Sequence, residues 1–399
     1  MTKSISIVST GNLKSVHGAN YVLDYLIKSK PYFKNVFIKK VYSSVETLNV
    51  VGGDDMPIGV GVGTSSYKAK RKIRSFLREL LSSKFLPWAL LKEYLNFIRP
   101  ANKVAKKVMA DKDKSDWLIF QDFTAAYYYL KNNPKREEKT AMIVHQENDS
   151  LSQYFHTFPA FSSETQRKRI LGRRDYVYSH IDKIIYISIK ACEGSIADKS
   201  KRVMIYNGIA DVPIDKQSKF RNDGKINLVC VGSMSGWKGQ ELIIQALAKI
   251  SKDSLKKVHL CFVGDGAERA NLETLVTDNK LGDVVEFMGI RKDVADILTR
   301  MDVFVMPSIS EGLSISSLEA LRGGLFLMMT DTGGNCEVMG EDCGKVVTRD
   351  PQDIADKLEM IIKNNLISKE QKERSVARFH QYFSLERMAE GYEKMVMSE

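Results

Sequence analysis

Short apolar runs and amphipathic stretches alternate along the whole chain. Each run has about five residues, is rich in β-branched and other apolar side chains, and is separated from the next by a stretch with helical spacing. Such alternation is typical of parallel strands joined by helices. In the first half the predicted strands are Ile5–Thr10, Trp117–Gln121, Thr140–Gln146, Lys183–Ser188 and Arg202–Gly208. In the second half they are Ile226–Gly232, Val258–Gly264, Val284–Gly289, Val303–Ser308 and Leu325–Asp331. The pattern predicts an α/β fold with two doubly wound, Rossmann-like domains.

A polar segment separates the two sets of predicted strands. Asp211–Gly224 reads "DVPIDKQSKFRNDG", which is rich in turn residues and poor in apolar ones. We therefore expect an N-terminal domain over residues 1–210 and a C-terminal domain over residues 211–375. Residues 376–399 are expected to form a C-terminal helix that crosses back to the N-terminal domain.

Composition narrows the class of protein. Of the 399 residues, 43% are apolar and 27% charged, which is ordinary for a globular chain of about two or three domains. No signal peptide is expected, since Ile5–Val8 is too short, and Phe85–Leu91 is only about a third of a membrane span. The five cysteines are scattered without a Cys-x-x-Cys pair, so neither a disulfide framework nor a zinc site is expected. A reducing cytoplasm fits these features.

The net charge of +11 is concentrated in the first half of the chain. Residues 1–212 hold 35 Lys and Arg against 20 Asp and Glu, whereas the remainder holds 25 against 29. Ser65–Met109 alone carries 12 basic residues and two glutamates. It could form helices packed on the first sheet with solvated basic faces. Alternatively, Phe85 and Trp88 beside Pro87, surrounded by basic residues, favour a segment that lies on an anionic membrane.

Glycine-rich stretches follow the predicted strands of the second half. They are Gly232–Leu247, Gly264–Arg269, Gly289–Asp293, Ser310–Gly324 and Asp331–Val338. Ligands of open parallel sheets bind beyond the carboxyl ends of the strands, where glycine lets a backbone approach a phosphate and Lys238 supplies positive charge. A helix starting near Leu313–Ser316 would direct free amides at a pyrophosphate. Glu319, further along that helix, would face paired hydroxyls such as those of a ribose, and Glu311 would lie on the sugar side.

These stretches resemble the donor domain of retaining glycosyltransferases of family 4, which have the two-domain GT-B fold with a cleft between the domains. The resemblance rests on "GSMSGWKGQELIIQAL", on E-x7-E within "PSISEGLSISSLEALRGG" and on "DTGGNCEV". It covers roughly Asn207 to Glu337 with specific motifs, and upstream it is one of architecture.

The resemblance implies a role for individual residues. Glu319 would bind the donor ribose, Glu311 the donor sugar and Lys238 the diphosphate. The amides of Gly312, Leu313 and Ser314 would touch phosphate or sugar, and Ile290 and Arg291 would lie near the nucleobase. Ser233 stands where the family commonly has arginine, so Lys238 would carry more of the phosphate charge, with help from Arg291 or a basic residue of the first domain. Leu325 replaces a frequent proline, with little chemical consequence.

Fewer roles are implied for the first half of the chain. His145 ends a predicted strand where the family often has a histidine that faces the donor sugar and acceptor, although a strand-end histidine also occurs for structural reasons. Gly18, in the loop "TGNLKSVHGANYVL", would contact the donor, whereas His17 beside it is more typical of a solvated loop. Asn207 in "YNGI" resembles the family's Asn-Gly pair, which a domain-end turn explains equally well.

The function expected from these features is transfer of a sugar from a nucleotide diphosphate sugar, with UDP favoured by family habit, to a hydroxyl acceptor. The acceptor would be a surface-polysaccharide or lipid-linked saccharide, reached from the cytoplasm at the inner face of the membrane. No cofactor or metal is expected, because no cluster of metal ligands is visible in the sequence. A hydrolase, epimerase or phosphorylase of the same fold remains an alternative. A nucleic-acid-binding protein is disfavoured by the lack of a signature, and a dinucleotide dehydrogenase by the lack of G-x-G-x-x-G after a strand.

Overall fold

The computed structural model describes residues 2–10, 18–50, 85–146, 151–212 and 224–398. His17 and the part of the basic segment from Ser65 to position 84 therefore lie outside the described residues. Contacts divide the chain into two compact units. The first comprises Met1–Ile187, Cys192–Ile205 and Ala389–Glu399, and the second comprises Ser188–Ala191 and Tyr206–Met388.

The first unit is built on a seven-stranded sheet of order β3-β2-β1-β4-β5-β6-β7. Its strands are β1 (Lys3–Ser9), β2 (Val36–Ser43), β3 (Thr47–Asn49), β4 (Trp117–Phe120), β5 (Lys139–Val144), β6 (Lys183–Tyr186) and β7 (Arg202–Met204). Neighbouring strands are parallel except β3, which pairs antiparallel with β2 at the edge. The central strands β1 and β4 are almost wholly buried. They read as continuous apolar runs because helices cover both faces of such a sheet.

Helices of the first unit connect these strands. They are α1 (Gly18–Lys28), α2 (Leu86–Glu93), α3 (Arg99–Ala110), α4 (Phe123–Asn132), α5 (Ser152–Thr157), α6 (Glu164–His180) and α7 (Ile189–Glu193), which the unit boundary divides. A π turn over Tyr94–Ile98 joins α2 to α3, and the Arg99 amide donates to the Tyr94 carbonyl five residues back. Pro100 has no amide hydrogen for the usual bond to residue 96, so a wider turn fits there. Asp122 caps α4 by accepting from the Ala125 amide.

The second unit contains a six-stranded parallel sheet of order β10-β9-β8-β11-β12-β13. Its strands are β8 (Ile226–Val231), β9 (Val258–Val263), β10 (Val285–Gly289), β11 (Val303–Met306), β12 (Phe326–Met329) and β13 (Gly344–Val346). Along the chain the strands first add outward from β8 to β10. The chain then returns to the centre and adds β11 to β13 on the other side of β8. The order therefore reverses between β8 and β11, as in dinucleotide-binding folds.

Helices cover both faces of the second sheet. They are α8 (Gln240–Leu247), α9 (Lys252–Leu255), α10 (Arg269–Asp278), α11 (Val294–Leu298), α12 (Ile315–Arg322), α13 (Asn335–Met339), α14 (Pro351–Lys363) and α15 (Lys369–Tyr382). On one face α8, α10 and α14 pack with Leu228, Leu260 and Phe262 of the sheet in one apolar core. On the other face α12 packs against α13 and α15.

The final helix, α16 (Leu385–Met397), is divided between the two units after Met388. In the first unit, the Glu393 carboxylate accepts hydrogen bonds from the Lys34 and Asn35 amides. Within the described part of the chain, no helix is both long enough and apolar enough to cross a membrane.

The predicted fold class is confirmed, and all ten predicted strands are present. Three strands of the described chain were not predicted, namely β2, β3 and β13. The β2 sequence "VFIKKVYS" carries two adjacent lysines, and Lys40 is buried because it pairs with Asp111 at 2.7 Å. The strands β3 and β13 have three residues each, too few to show a period.

Candidate functional site

The carboxyl ends of β8 and β11 lie side by side in the second sheet. Their connections lead to opposite faces, because α8 and α12 pack on different sides of the sheet. Ligands of open parallel sheets bind beyond the carboxyl ends of the strands at such a reversal of strand order. The two loops are also joined directly, since the Ile309 amide donates to the Trp237 carbonyl at 2.8 Å.

Lys238 and Glu311 meet at this point. The Lys238 Nζ lies 2.7 Å from Glu311 Oε1, and both side chains are largely buried. The two residues are 73 positions apart in sequence. The structure thus brings together the cation and the carboxylate that the sequence places after two different strands.

Glycines let the surrounding loops pack backbone to backbone. Gly264 has a φ of +139°, and a Cβ atom there would lie 2.0 Å from the Gly232 carbonyl oxygen. Gly333 has a φ of +52°, and its Cβ would lie 2.2 Å from the Glu311 carbonyl oxygen. The Gly334 amide donates to the Gly312 carbonyl at 2.7 Å. The structure gives these glycines a role in loop packing, and the approach of the backbone to a phosphate stays a prediction.

The helix α12 begins one residue after Ser314, as expected. Ser314 is the N-cap with extended backbone, and Leu313 and Ser314 are buried. The Ser314 Oγ lies 3.0 Å from the Ser316 Oγ rather than capping a backbone amide. The first amides of α12 accordingly lack partners within the helix, and with the helix dipole they favour an anion.

Glu319 lies in the second turn of α12 and is partly buried. Burial raises the pKa of its carboxyl group, and the positive charge of Arg322 offsets part of that effect. Within the described residues, no hydrogen bond or ion pair reaches this carboxylate. Glu319 lines a small depression with Arg322 and Gly323 on one side and with residues of α11 opposite. A carboxylate held this way is suited to receive hydroxyl donors.

The remaining predicted donor-side residues are more exposed. Ser233 is exposed, and its backbone carbonyl accepts a hydrogen bond from the side-chain Nε2 of the buried Gln240 at 3.0 Å. Ile290 is 71% exposed directly after Gly289. Arg291 donates two hydrogen bonds to Asp293, at 2.6 and 2.8 Å. The Asp293 carboxylate holds the pKa of Arg291 above its usual value, so its charge is already balanced there.

His145, of the first unit, follows β5. Its Nε2 lies 2.8 Å from the Gln121 Oε1, and burial lowers its pKa to about 4. The imidazole is therefore neutral near pH 7, and because an amide oxygen only accepts, Nε2 carries the hydrogen. This leaves Nδ1 as a hydrogen-bond acceptor. Gln121 Nε2 is buried without a partner in the described part of the chain.

The structure also shows the positions of Gly18 and Asn207, the two other residues with a predicted role. Gly18 is the first residue of α1. Asn207, in the second unit, is 4% exposed, and its side-chain nitrogen has no partner among the described residues. A Cβ at the adjacent Gly208 would lie 2.3 Å from the Ser384 carbonyl oxygen, so this turn packs tightly.

Glu337 lies in the stretch Asp331–Val338, and the sequence analysis assigned it no role. Its carboxylate accepts from the Ile189 amide at 2.7 Å, the Lys190 amide at 2.9 Å and the Tyr206 hydroxyl at 2.9 Å. These partners are 131 to 148 positions away, and local patterns contain no sign of them. Burial and the Glu337 charge raise the pKa of Tyr206. Glu337 therefore links the backbone at Ile189 and Lys190 to the side chain of Tyr206, two distant segments of the second unit.

A group of side chains that could together hold a metal ion was also not predicted. His259 and Cys261 on β9 and Glu286 on β10 place ligand atoms within 4.8 Å of one another. The Cys261 Sγ lies 3.6 Å from His259 Nδ1, and Glu286 Oε2 lies 3.6 Å from His259 Nε2. Cys261 and Glu286 are partners in the β9–β10 register, which brings residues 25 positions apart together. The group lies within the strands rather than at the reversal of strand order.

Two doubly wound domains, the second with this strand order and the Lys238–Glu311 pair at its reversal, are the architecture of the GT-B class. Residues 211–378 match the model of the family described as glycosyl transferases group 1.

Comparison with known proteins agrees with this class. The chain is 27% identical over 227 residues to the O-antigen biosynthesis glycosyltransferase WclY of Escherichia coli, covering 55% of this chain and 62% of WclY. It is 28% identical over 226 residues to the phosphatidylinositol N-acetylglucosaminyltransferase gpi3 subunit of Schizosaccharomyces pombe, covering 55% of this chain and 49% of that subunit. These matches span less than two thirds of either relative.

A solved structure extends the likeness in fold to nearly the whole chain. Anabaena Alr3699/HepE in complex with UDP superimposes with a TM-score of 0.70 at 16% identity, covering 99% of this chain and all of HepE. At this identity the likeness establishes the two-domain GT-B fold.

Proposed function

We propose that this protein is a retaining glycosyltransferase that moves a hexosyl or N-acetylhexosaminyl group from a UDP-sugar to a saccharide hydroxyl. The observation that carries the proposal is the Lys238–Glu311 pair at the reversal of strand order, next to the N-terminus of α12. A cation and free helix amides suit a diphosphate, and a carboxylate suits the hydroxyls of a sugar. The UDP bound to HepE, a protein of the same fold, supports a uridine nucleotide.

In this proposal the donor is held by residues of the second unit. Lys238 Nζ exchanges its bond with Glu311 for the diphosphate, which frees the Glu311 carboxylate to accept from sugar hydroxyls. The amides of Gly312, Leu313 and Ser314 add neutral donors, and Glu319 accepts from the ribose. Ile290 offers an exposed apolar surface to the base, with Arg291 beside it.

The reaction breaks the bond between the anomeric carbon and the diphosphate oxygen, and forms a bond from that carbon to the acceptor oxygen on the same face. The leaving phosphate oxygen takes the acceptor's proton, so UDP departs with the electron pair of the broken bond. The transition state is oxocarbenium-like, as in glycoside hydrolysis. Lys238 stabilises the charge that develops on the leaving group. His145, neutral with Nδ1 as acceptor, is proposed to receive a hydrogen bond from the sugar or acceptor.

The proposed acceptor is a surface-polysaccharide or lipid-linked saccharide. WclY is named for O-antigen biosynthesis, which supports a surface-polysaccharide acceptor, and the gpi3 subunit is named for phosphatidylinositol, which supports an acceptor attached to lipid. The protein would act in the cytoplasm at the inner face of the membrane. The basic segment Ser65–Met109, described from residue 85 onward, is the proposed contact with anionic lipid.

A transfer assay tests the proposal. The protein is incubated with a panel of UDP-sugars, with and without a lipid extract as acceptor, and UDP and labelled product are measured. We expect acceptor-dependent UDP release and a glycosylated product with the anomeric configuration retained. Release that is independent of acceptor would instead identify a hydrolase. Isomerised donor would identify an epimerase, and release that requires inorganic phosphate a phosphorylase.

The proposed chemistry needs no metal. We expect activity to survive EDTA, because Lys238 and the helix amides supply the positive charge at the diphosphate. Loss of activity that Mg²⁺ or Mn²⁺ restores would contradict this mechanism. Loss that only Zn²⁺ restores, together with a lower Tm in EDTA, would direct attention to His259, Cys261 and Glu286.

A further inference from the structure

The helical segment formed by α2 and the π turn carries its large apolar side chains on the outside. Ala89 and Glu93 are fully buried, and Phe97 packs edge-to-face on Tyr154 and Phe158 with ring centroids 5.5 and 5.7 Å apart. Seven apolar side chains of this segment and its N-cap, here called together the outer face of α2, are 37% to 58% exposed: Phe85, Leu86, Trp88, Leu90, Leu91, Tyr94 and Leu95. An ordinary surface helix has the reverse arrangement.

Glu93 fixes this orientation. Its fully buried carboxylate accepts from Arg169 at 2.8 and 3.3 Å, from Arg173 at 2.7 Å and from the Tyr154 hydroxyl at 2.8 Å. A buried charge is tolerated only while it is paired and hydrogen-bonded. Turning the helix to bury Trp88 and Leu91 would leave two arginines without their partner carboxylate. The charge network therefore holds the apolar side outward.

The charged residues of α2, the π turn and α3 indicate what the outer face of α2 meets. Over residues 85–110 the exposed charged side chains are all basic, namely Lys92, Arg99, Lys103 and Lys106. The single carboxylate of that stretch, Glu93, is buried. Trp and Tyr among leucines, bordered by Lys and Arg, are typical of segments that lie at the interface of an anionic bilayer. An acidic protein partner that bound only the basic residues would have no need of the exposed leucines.

We propose that the outer face of α2 inserts into the headgroup region of an anionic lipid bilayer, with the flanking basic residues on the lipid phosphates. Only the purpose of this membrane contact rests on the proposed function, because the contact would bring the enzyme to a lipid-linked acceptor. The surface itself is made by side chains of the first unit, so it can be tested without any sugar transfer.

The test is flotation of the full chain with vesicles of phosphatidylglycerol and phosphatidylcholine in equal parts, at low and high salt. We expect the wild type to float with these vesicles and not with phosphatidylcholine alone. Combining Trp88→Ser, Leu91→Ser and Leu95→Ser should weaken binding at least about tenfold, which corresponds to roughly 1.4 kcal/mol. The matched control combines Tyr32→Ser, Val45→Ser and Ile196→Ser, three exposed apolar positions elsewhere in the first unit, and should bind like the wild type.

Insertion also has a spectroscopic readout. Trp117 is buried and Trp237 belongs to the second unit, so we expect lipids brominated in the acyl chain to quench Trp88 selectively. Quenching should disappear in Trp88→Phe while flotation persists. Stabilisation by UDP, measured on the same proteins, reports on the donor site independently and should be unchanged in the triple variant.

Three outcomes would overturn the proposal: no flotation of the wild type at low salt, equal flotation of the triple variant, or absence of Trp88 quenching. If the triple variant converts a dimer to a monomer without any change in vesicle binding, the face is instead an interface between two copies of the chain.

Discussion

At the scale of single residues, the candidate site contains a carboxylate whose burial the fold compensates only in part, through the charge of Arg322. Burial raises the pKa of Glu319, and no described residue donates a hydrogen bond to it. In the folded protein the ionised form is thus disfavoured relative to the unfolded chain, so Glu319 destabilises the fold above its ordinary pKa near 4.3. Residues that bind ligand commonly have such a cost to stability.

This reasoning predicts opposite effects of Glu319→Gln on stability and on binding. At pH 7 the variant should have a higher Tm than the wild type, because a neutral amide replaces a buried charge. At about pH 4 and below, where both side chains are neutral, the difference should vanish. Stabilisation by UDP should be lost at pH 7. Thermal unfolding with and without UDP measures all three, and a lower Tm of the variant at pH 7 would show that the carboxylate is compensated.

His145 provides a second residue-scale prediction. Its pKa is lowered to about 4 in the fold, so the unfolded chain binds more protons between about pH 6.5 and 4. Stability should fall as the pH decreases through that interval, by up to roughly 3 kcal/mol from this residue. In His145→Gln this component should be absent. Urea unfolding of both proteins at several pH values gives the difference, and parallel pH dependences would show that His145 is not buried in its neutral form.

At the scale of elements, the site depends on glycines that let adjacent loops touch. Gly264→Ala should destabilise the protein by more than about 2 kcal/mol, because its Cβ would overlap the Gly232 carbonyl and its φ is positive. The matched control is Gly282→Ala, which has nothing within 4 Å of the added atom and should change stability by less than about 0.5 kcal/mol. Equal effects in urea unfolding would mean that the loops after β8 and β9 adjust freely.

Some strands and helices could be predicted from the sequence, and others could not. Apolar runs of the central strands are continuous because both faces of the sheet are covered, so β4, β8 and β9 could be predicted. The strand β2 was missed because Lys39 and Lys40 interrupt its apolar pattern. The burial of Lys40 depends on Asp111, a partner 71 positions away. The helix start at Ile315 was predicted because glycine and serine precede it. The burial of Glu93 beside exposed apolar side chains of α2 was not predicted, because a glutamate in a basic stretch is ordinarily solvated. Glu93 is buried because it pairs with arginines 76 and 80 positions away.

At the scale of the whole molecule, strand order explains the site. Lys238 and Glu311 each follow a strand, which the sequence shows, but their ion pair requires β8 and β11 to be neighbours. That neighbourhood results from the reversal of strand order, which belongs to the fold rather than to either motif. The roles of Glu337 and of the His259 group depend likewise on strand and loop pairings, which local patterns do not contain.

The central claim is that UDP binds at this reversal in the second unit, with Lys238 as its principal cation. The most direct test is a calorimetric titration of UDP into the wild type, Lys238→Ala and Lys249→Ala, the last an exposed lysine of the same unit. We predict saturable binding of UDP by the wild type and by Lys249→Ala. For Lys238→Ala we predict at least about tenfold weaker binding, or roughly 1.4 kcal/mol, with the protein still folded at the temperature of the titration. UDP binding of equal affinity in Lys238→Ala and the wild type, or no UDP binding by the wild type, would contradict the account.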